Sequence, residues 1–250
     1  MLLGASNVVR GLHVLLGVAR AAWGRDLEVL AAIGLGRSYG TRSMVLGRVL
    51  PSVLESGLWD ELERRPRVPT RAIVTDVGND ILYTAPVADI ARWVADCVAR
   101  LRGHGAAVVV TGLPIARAER LGPAGYAALK TLIFPRYRWL PRKEALSRAR
   151  AVNEALRSLA AEAGAQFFEP RDEWYGLDPI HLRLGTWRTA WSCILAGRAE
   201  GLEGRGRSLG PLTAARLAAA PPALQWLFGR ERRRAQPALT IPGGMTVSMY

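Results

Sequence analysis

Four short stretches hold the residues best able to do chemistry. In GLGRSYG, residues 34 to 40, Gly36-Arg37-Ser38-Tyr39-Gly40 fits the G-x-S-x-G turn that presents a nucleophilic serine. The same stretch, through Gly34, Gly36 and Gly40, is a near miss to a dinucleotide-binding glycine loop. GASN at 4 to 7 offers a second serine, Ser6, and GND at 78 to 80 offers an amide and a carboxylate side by side. DPIH at 178 to 181 holds the only histidine, His181, with an acidic residue close by, Asp178; His13 and His104 stand apart. A serine hydroxyl is a poor nucleophile until a base takes its proton, so either serine would need that pair. Each residue also has an ordinary reading. Ser6 ahead of an apolar helix is a helix start signal, Asn79 and Asp80 are turn residues, and Asp178 and His181 could be a surface cap and a solvated imidazole.

The elements that must position these residues follow from periodicity. Short apolar or β-branched runs occur at 1–5, 27–33, 71–77, 106–112 and 165–170. Amphipathic stretches lie between them: in DIARWVADCVARL, Ile90, Val94, Cys97, Val98 and Leu101 recur at helical spacing, and 142–164 is a helical pattern closed by a glycine. Strand alternating with helix predicts an α/β fold, a three-layer α/β/α sandwich around a five-stranded parallel sheet. In such a sheet ligands bind at the carboxyl ends of the strands, and all four chemical stretches fall there.

This order arbitrates between the readings of GLGRSYG. A dinucleotide site needs a further strand ending in an acidic residue, whereas GLWDELERRPRVPT is polar and carries prolines. The serine-elbow reading has a strand before Ser38 and a helix-like TRSMVLGRVLPSVL after it, but only one strand precedes that, and the acid and histidine sit together, not on separate loops. Ser6 therefore competes with Ser38. GASN, the loop glycine Gly36, GND and DPIH, in this order and at these strand ends, resemble the SGNH (GDSL-type) hydrolases from the first residues to about 197. The resemblance implies Ser6 as nucleophile, His181 as general base and Asp178 as the acid orienting it. The oxyanion donors it implies are the amides of Ser6 and Gly36 and the side chain of Asn79. It implies a serine ester hydrolase acting on small carboxylic esters through an acyl-enzyme, with no metal and no organic cofactor. An acyltransferase using the same acyl-enzyme is the nearest alternative. Two positions depart from the pattern: Ala5 stands where the family usually has aspartate, and Val77 where it usually has glycine, with Gly78 as the candidate to supply the missing backbone freedom.

The rest of the chain adds three expectations. Residues 113–141 form a long insertion whose Tyr126, Phe134, Tyr137 and Trp139 either wall an acyl pocket or pack the loop onto the core. Residues 1–197 form the hydrolase-like domain. Residues 198–250 form a basic extension with a helix and a terminal β-hairpin, ALTIPGGMTVSMY, docked on it. The net charge of +13 comes almost wholly from arginine spread along the chain, so nucleic acid is not the expected partner. The exception is GRERRR, where Arg230, Arg232, Arg233 and Arg234 could hold an anionic surface, the basis of a non-catalytic alternative. Cys97 and Cys193 lie in apolar helical patterns and read as buried hydrophobes, not as metal ligands or a disulfide. No signal peptide or spanning segment is read, so the expected compartment is the cytoplasm, although the first strand has almost no lead-in and the gene start could lie upstream.

Overall fold

The structure, a computed structural model, describes residues 1–133, 139–202 and 206–250, without the side chains of 132 and 133. Its strands are β1 (Leu2–Gly4), β2 (Glu28–Ile33), β3 (Ser43–Val45), β4 (Arg48–Leu50), β5 (Arg71–Val74), β6 (Ala107–Thr111), β7 (Gln166–Phe168), β8 (Leu224–Leu227), β9 (Arg230–Arg233), β10 (Leu239–Thr240) and β11 (Thr246–Met249). The helices are α1 (Ser6–Trp23), α2 (Leu58–Glu63), α3 (Asn79–Leu82), α4 (Val87–Gly103), α5 (Ile115–Glu119), α6 (Pro123–Ile133), α7 (Arg142–Glu162), α8 (Trp187–Ala196) and α9 (Pro211–Ala219).

The main sheet has seven strands in the order β10-β11-β2-β1-β5-β6-β7. The five expected strands are all present and mutually parallel. The count of five is too low because β11 adds to β2 in parallel and β10 closes the edge antiparallel to β11. Period-two alternation sorts each strand between two cores. Leu3, Leu30, Ala32, Val74, Val108 and Val110 face the layer of α2, α4 and α7. Leu2, Val29, Ala31, Ile73 and Val109 face α1, α8 and the inward side of α9. Burial on both faces is why these strands read as continuous apolar runs. At β1 the strand order reverses, with β2 on one side and β5 on the other, so the carboxyl end of β1 is a topological switch point. Ser6 lies directly beyond it.

One further expectation is corrected. TRSMVLGRVLPSVL is not helical. Its β3 and β4 form a hairpin with a two-residue turn, Leu46 at φ 50° and Gly47 at φ 76°, and β4 pairs with β8 in a second antiparallel sheet, β3-β4-β8-β9. Pairing with a strand so far along the chain overrides local helical patterning. The 113–141 insertion carries α5 and α6. Tyr126 is buried and its hydroxyl donates to the Leu140 carbonyl at 2.6 Å, while Trp139 meets its ring edge-on at 6.0 Å. Phe134 and Tyr137 lie outside the described residues.

Candidate active site

The chain turns sharply from β1 into α1. Gly4 is needed in that turn, since a Cβ there would meet Val8 and Thr75 at 2.8 and 2.9 Å. The N-cap position of α1 is Ala5 and Ser6 is the first helical residue, so the serine does not occupy the capping position that its type would suit. The Ser6 hydroxyl meets the Nε2 of His181 at 2.9 Å, and the Nδ1 of His181 meets the Asp178 carboxylate at 2.5 Å. The loop carrying the pair is held by its own chemistry: Asp178 sits before a proline and accepts the Ile180 amide at 3.0 Å. Burial works to raise the Asp178 pKa, but hydrogen bonding and charge from His181, with the Ile180 and His181 amides, outweigh it and hold the carboxyl below its usual range. Asp178 is thus an anion poised to accept from Nδ1–H, which leaves Nε2 as the acceptor facing Ser6.

Hydroxyl, imidazole and carboxylate therefore stand in line. Beside them lies a cavity of about 80 Å³ lined by Ser6, Asn79, Thr111, Leu113, Pro114 and Ile180 among others. Tyr126 and Trp139 are not among its lining residues. Asn79 opens α3, and its side-chain amide donates to the Arg37 carbonyl at 3.3 Å, which places it against the loop carrying Gly36. Gly36 adopts φ 62°, and its carbonyl accepts from the Tyr83 hydroxyl. The five residues predicted for the site thus lie at the carboxyl edge of the sheet. Ser6, His181 and Asp178 are directly bonded, and Asn79 lines the cavity with Ser6.

Ser38 is elsewhere. It is fully buried, donates to the Asp80 carboxylate, and accepts from the Gly40 and Thr41 amides at 3.2 and 3.0 Å. Asp80 is no ordinary turn residue: it is fully buried and also accepts the Tyr39 amide at 3.0 Å. Burial pushes its carboxyl up to about 6 against the opposing pull of those two bonds.

Sequence reasoning missed Asp76. It accepts the backbone amides of Ala5 at 2.9 Å and Asn7 at 3.0 Å, and the Asn7 side-chain amide at 2.8 Å. Asn7 in turn donates to the Ile180 carbonyl at 2.9 Å and accepts the Leu182 amide at 2.9 Å. One carboxylate and one carboxamide thereby clamp the turn carrying Ser6 and both flanks of His181. The unusual backbone near the departing Val77 is also at Asp76, with φ 60°, and not at Gly78, whose φ is −59°. An acid closing β5 was the available signal, but most of its partners are main-chain amides, which have no signature in sequence.

An α/β/α sandwich whose central switch point carries a Ser–His–Asp line defines a structural class, that of doubly wound α/β folds with a candidate site beyond the central strand. Comparison with solved structures narrows it. A protein from Slackia heliotrinireducens assigned to the SGNH hydrolases matches at 17% identity over 80% of this chain and 97% of its own, with a TM-score of 0.52. The esterase EstA from Pseudoalteromonas sp. matches at 12% identity over 74% and 88% (TM-score 0.45). TesA matches at 17% identity over 78% and 96% (TM-score 0.45). No protein-family model and no curated protein matches the sequence. The chain has the SGNH-hydrolase fold. Among the described residues no helix is long and apolar enough to cross a membrane.

Proposed function

We propose that the protein is a serine ester hydrolase that cleaves small carboxylic esters through an acyl-enzyme on Ser6. The observation that carries this reading is the line from Ser6 through His181 to Asp178, with spacings of 2.9 and 2.5 Å, opening on a cavity. His181 takes the Ser6 proton as the hydroxyl attacks the ester carbonyl, then returns it to the leaving alcohol. Asp178 fixes the imidazole tautomer and stabilises the imidazolium. The amides of Ser6 and Gly36 and the Asn79 side chain receive the oxyanion, where each donor is worth about 3 kcal/mol of barrier. Water then attacks the acyl-enzyme with His181 again as base. A cavity of about 80 Å³ suits a short acyl group.

The test is fluorophosphonate labelling with peptide mapping, beside p-nitrophenyl acetate turnover by Ser6→Ala and Ser38→Ala. Label on the Ser6 peptide and a loss of about 10³-fold or more in Ser6→Ala are expected. Label on Ser38, or full activity in Ser6→Ala, refutes the assignment.

A further inference from the structure

The second sheet ends in two adjacent hairpin tips of unusual composition. The β3–β4 turn is Leu46-Gly47, with φ of 50° and 76°, and the β8–β9 turn is Phe228-Gly229, with φ of 48° and 82°. Two-residue turns with both φ values positive favour Asn, Asp or Gly at the first position, because a bulky side chain is strained there. Here that position holds a leucine in one turn and a phenylalanine in the other. Neither gains by packing away from solvent: Leu46 is 92% exposed and Phe228 is 85% exposed. The tips are locked side by side. The pairing of Arg48 with Leu227 puts both turns at one end of the sheet, the Phe228 amide donates to the Gly47 carbonyl at 2.9 Å, and the Phe228 ring covers Gly47. Two adjoining turns that each accept backbone strain to display a large apolar side chain point to a function for that display.

The surroundings say what it meets. Strand β9, which leaves the Phe228 turn, is exposed along its length and reads Arg-Glu-Arg-Arg, with exposed Arg234 next. Glu231 pairs with Arg233 at 2.7 Å, while Arg230, Arg232 and Arg234 have no ion-pair partner among the described residues. Charge along an edge strand opposes strand addition by a second copy, and two copies each at +13 repel. An anionic counterpart is favoured, and apolar tips beside cations suit one with a hydrocarbon interior under a negative surface. The tips also adjoin the site: Val45, next to Leu46, lies against Gly36, where a Cβ would meet it at 2.9 Å. Leu35, beside Gly36, and Leu177, beside Asp178, are exposed as well.

We infer that the Leu46 and Phe228 tips, with the β9 arginines, form a docking surface for an anionic phospholipid membrane, seating the protein with the Gly36 loop close to the lipid.

The experiment is vesicle co-sedimentation, which is independent of the ester-hydrolase reading. Phosphatidylcholine vesicles are compared with vesicles carrying about 30% phosphatidylglycerol. The wild type is compared with the double variant Leu46→Asn and Phe228→Asn, and with Arg230→Ala, Arg232→Ala and Arg234→Ala combined. Asparagine suits both turns, so the double variant is expected to keep or raise the melting temperature and to keep p-nitrophenyl acetate turnover. Its binding to anionic vesicles is expected to fall at least ~10-fold. The arginine variant is expected to lose the preference for anionic over neutral vesicles, and wild-type binding is expected to weaken with salt. Equal wild-type binding to both vesicle types, or undiminished binding by a folded asparagine variant, overturns the inference. So does wild-type capture of a DNA oligonucleotide without vesicle binding, or a wild-type dimer that the asparagine variant dissolves.

Discussion

The clamp at Asp76 can be tested by a near-isosteric change. In Asp76→Asn one oxygen still accepts the Ala5 and Asn7 amides, but the new NH₂ replaces the oxygen that receives the Asn7 side-chain amide. Asn7 cannot rotate to resolve the clash of donors. Its NH₂ is also bonded to the Ile180 carbonyl and its oxygen to the Leu182 amide, and a flip would set like against like at both. One charge-assisted bond is lost and a donor is stranded, for about 2 kcal/mol. Taken wholly in the transition state this is about 30-fold in kcat, and taken wholly in the ground state it is the same energy in unfolding. Urea denaturation and p-nitrophenyl acetate kinetics on the same preparation divide the cost. The clamp reaches both Ser6 and the His181 loop, so a share is expected in kcat. A variant with wild-type kcat and a wild-type urea midpoint refutes the clamp, and one with lost stability but unchanged kcat shows that it only braces the fold.

The remaining expectations concern the loop at 34–40 and its partners. Ser38→Ala strands the acceptor on Asp80 and three donors, the Gly40 and Thr41 amides and the Thr41 hydroxyl, so stability falls by about 1–3 kcal/mol while activity falls only in part; an unchanged melting temperature contradicts the buried bonds. Gly36→Ala places a Cβ at 2.9 Å from both the Tyr83 hydroxyl and Val45 on a backbone at φ 62°. Under the proposed function this displaces an oxyanion donor and should cost about 100-fold in kcat with the fold retained, and full activity would remove Gly36 from the site. Asp80, raised from 3.8 to about 6, keeps its proton longer in the folded state than in the unfolded one. Its contribution is therefore most favourable below about pH 4, falls by about 3 kcal/mol as pH rises through 6, and is flat above. Thermal denaturation across that window should show this slope in the wild type and not in Asp80→Asn, and equal slopes would refute it.

What could be read from the sequence follows from where each signal resides. The five central strands were legible because a strand buried on both faces must be apolar throughout, and the meeting of Ser6, His181 and Asp178 because the resemblance placed those residue types at neighbouring strand ends. The β3–β4 hairpin was not legible. Its turn lacks the Asn-Gly signature, Leu46 standing where asparagine would announce it, and its partner Trp226 is remote in the chain. Asp76 was hidden for another reason: a carboxylate that grips peptide amides leaves no matching residue type elsewhere. Ala5 stands where the SGNH pattern has an aspartate, yet the turn does not lack a carboxylate, because Asp76, just beyond the neighbouring strand β5, delivers one to the Ala5 amide.

The loop GLGRSYG shows how far residue type can mislead when direction is unknown. Its conspicuous members, Arg37, Ser38 and Tyr39, all point inward and are at most 1% exposed. Arg37 donates to the carbonyls of Ile33, Pro51, Ser52 and Tyr250, which solvate the cation in place of water, and burial still pushes its pKa down to about 9, with Arg48 adding to the effect. The Tyr39 hydroxyl donates to the Leu3 and Thr75 carbonyls, at the ends of β1 and β5. Ser38 is tied to Asp80. These three residues bolt the loop to β1, β5, α3 and the segment after β11, and under the proposed function the stiffness they confer serves the amide of Gly36. A donor amide works only if it does not move when charge develops. The serine that looked like the nucleophile is better understood as one of the bolts.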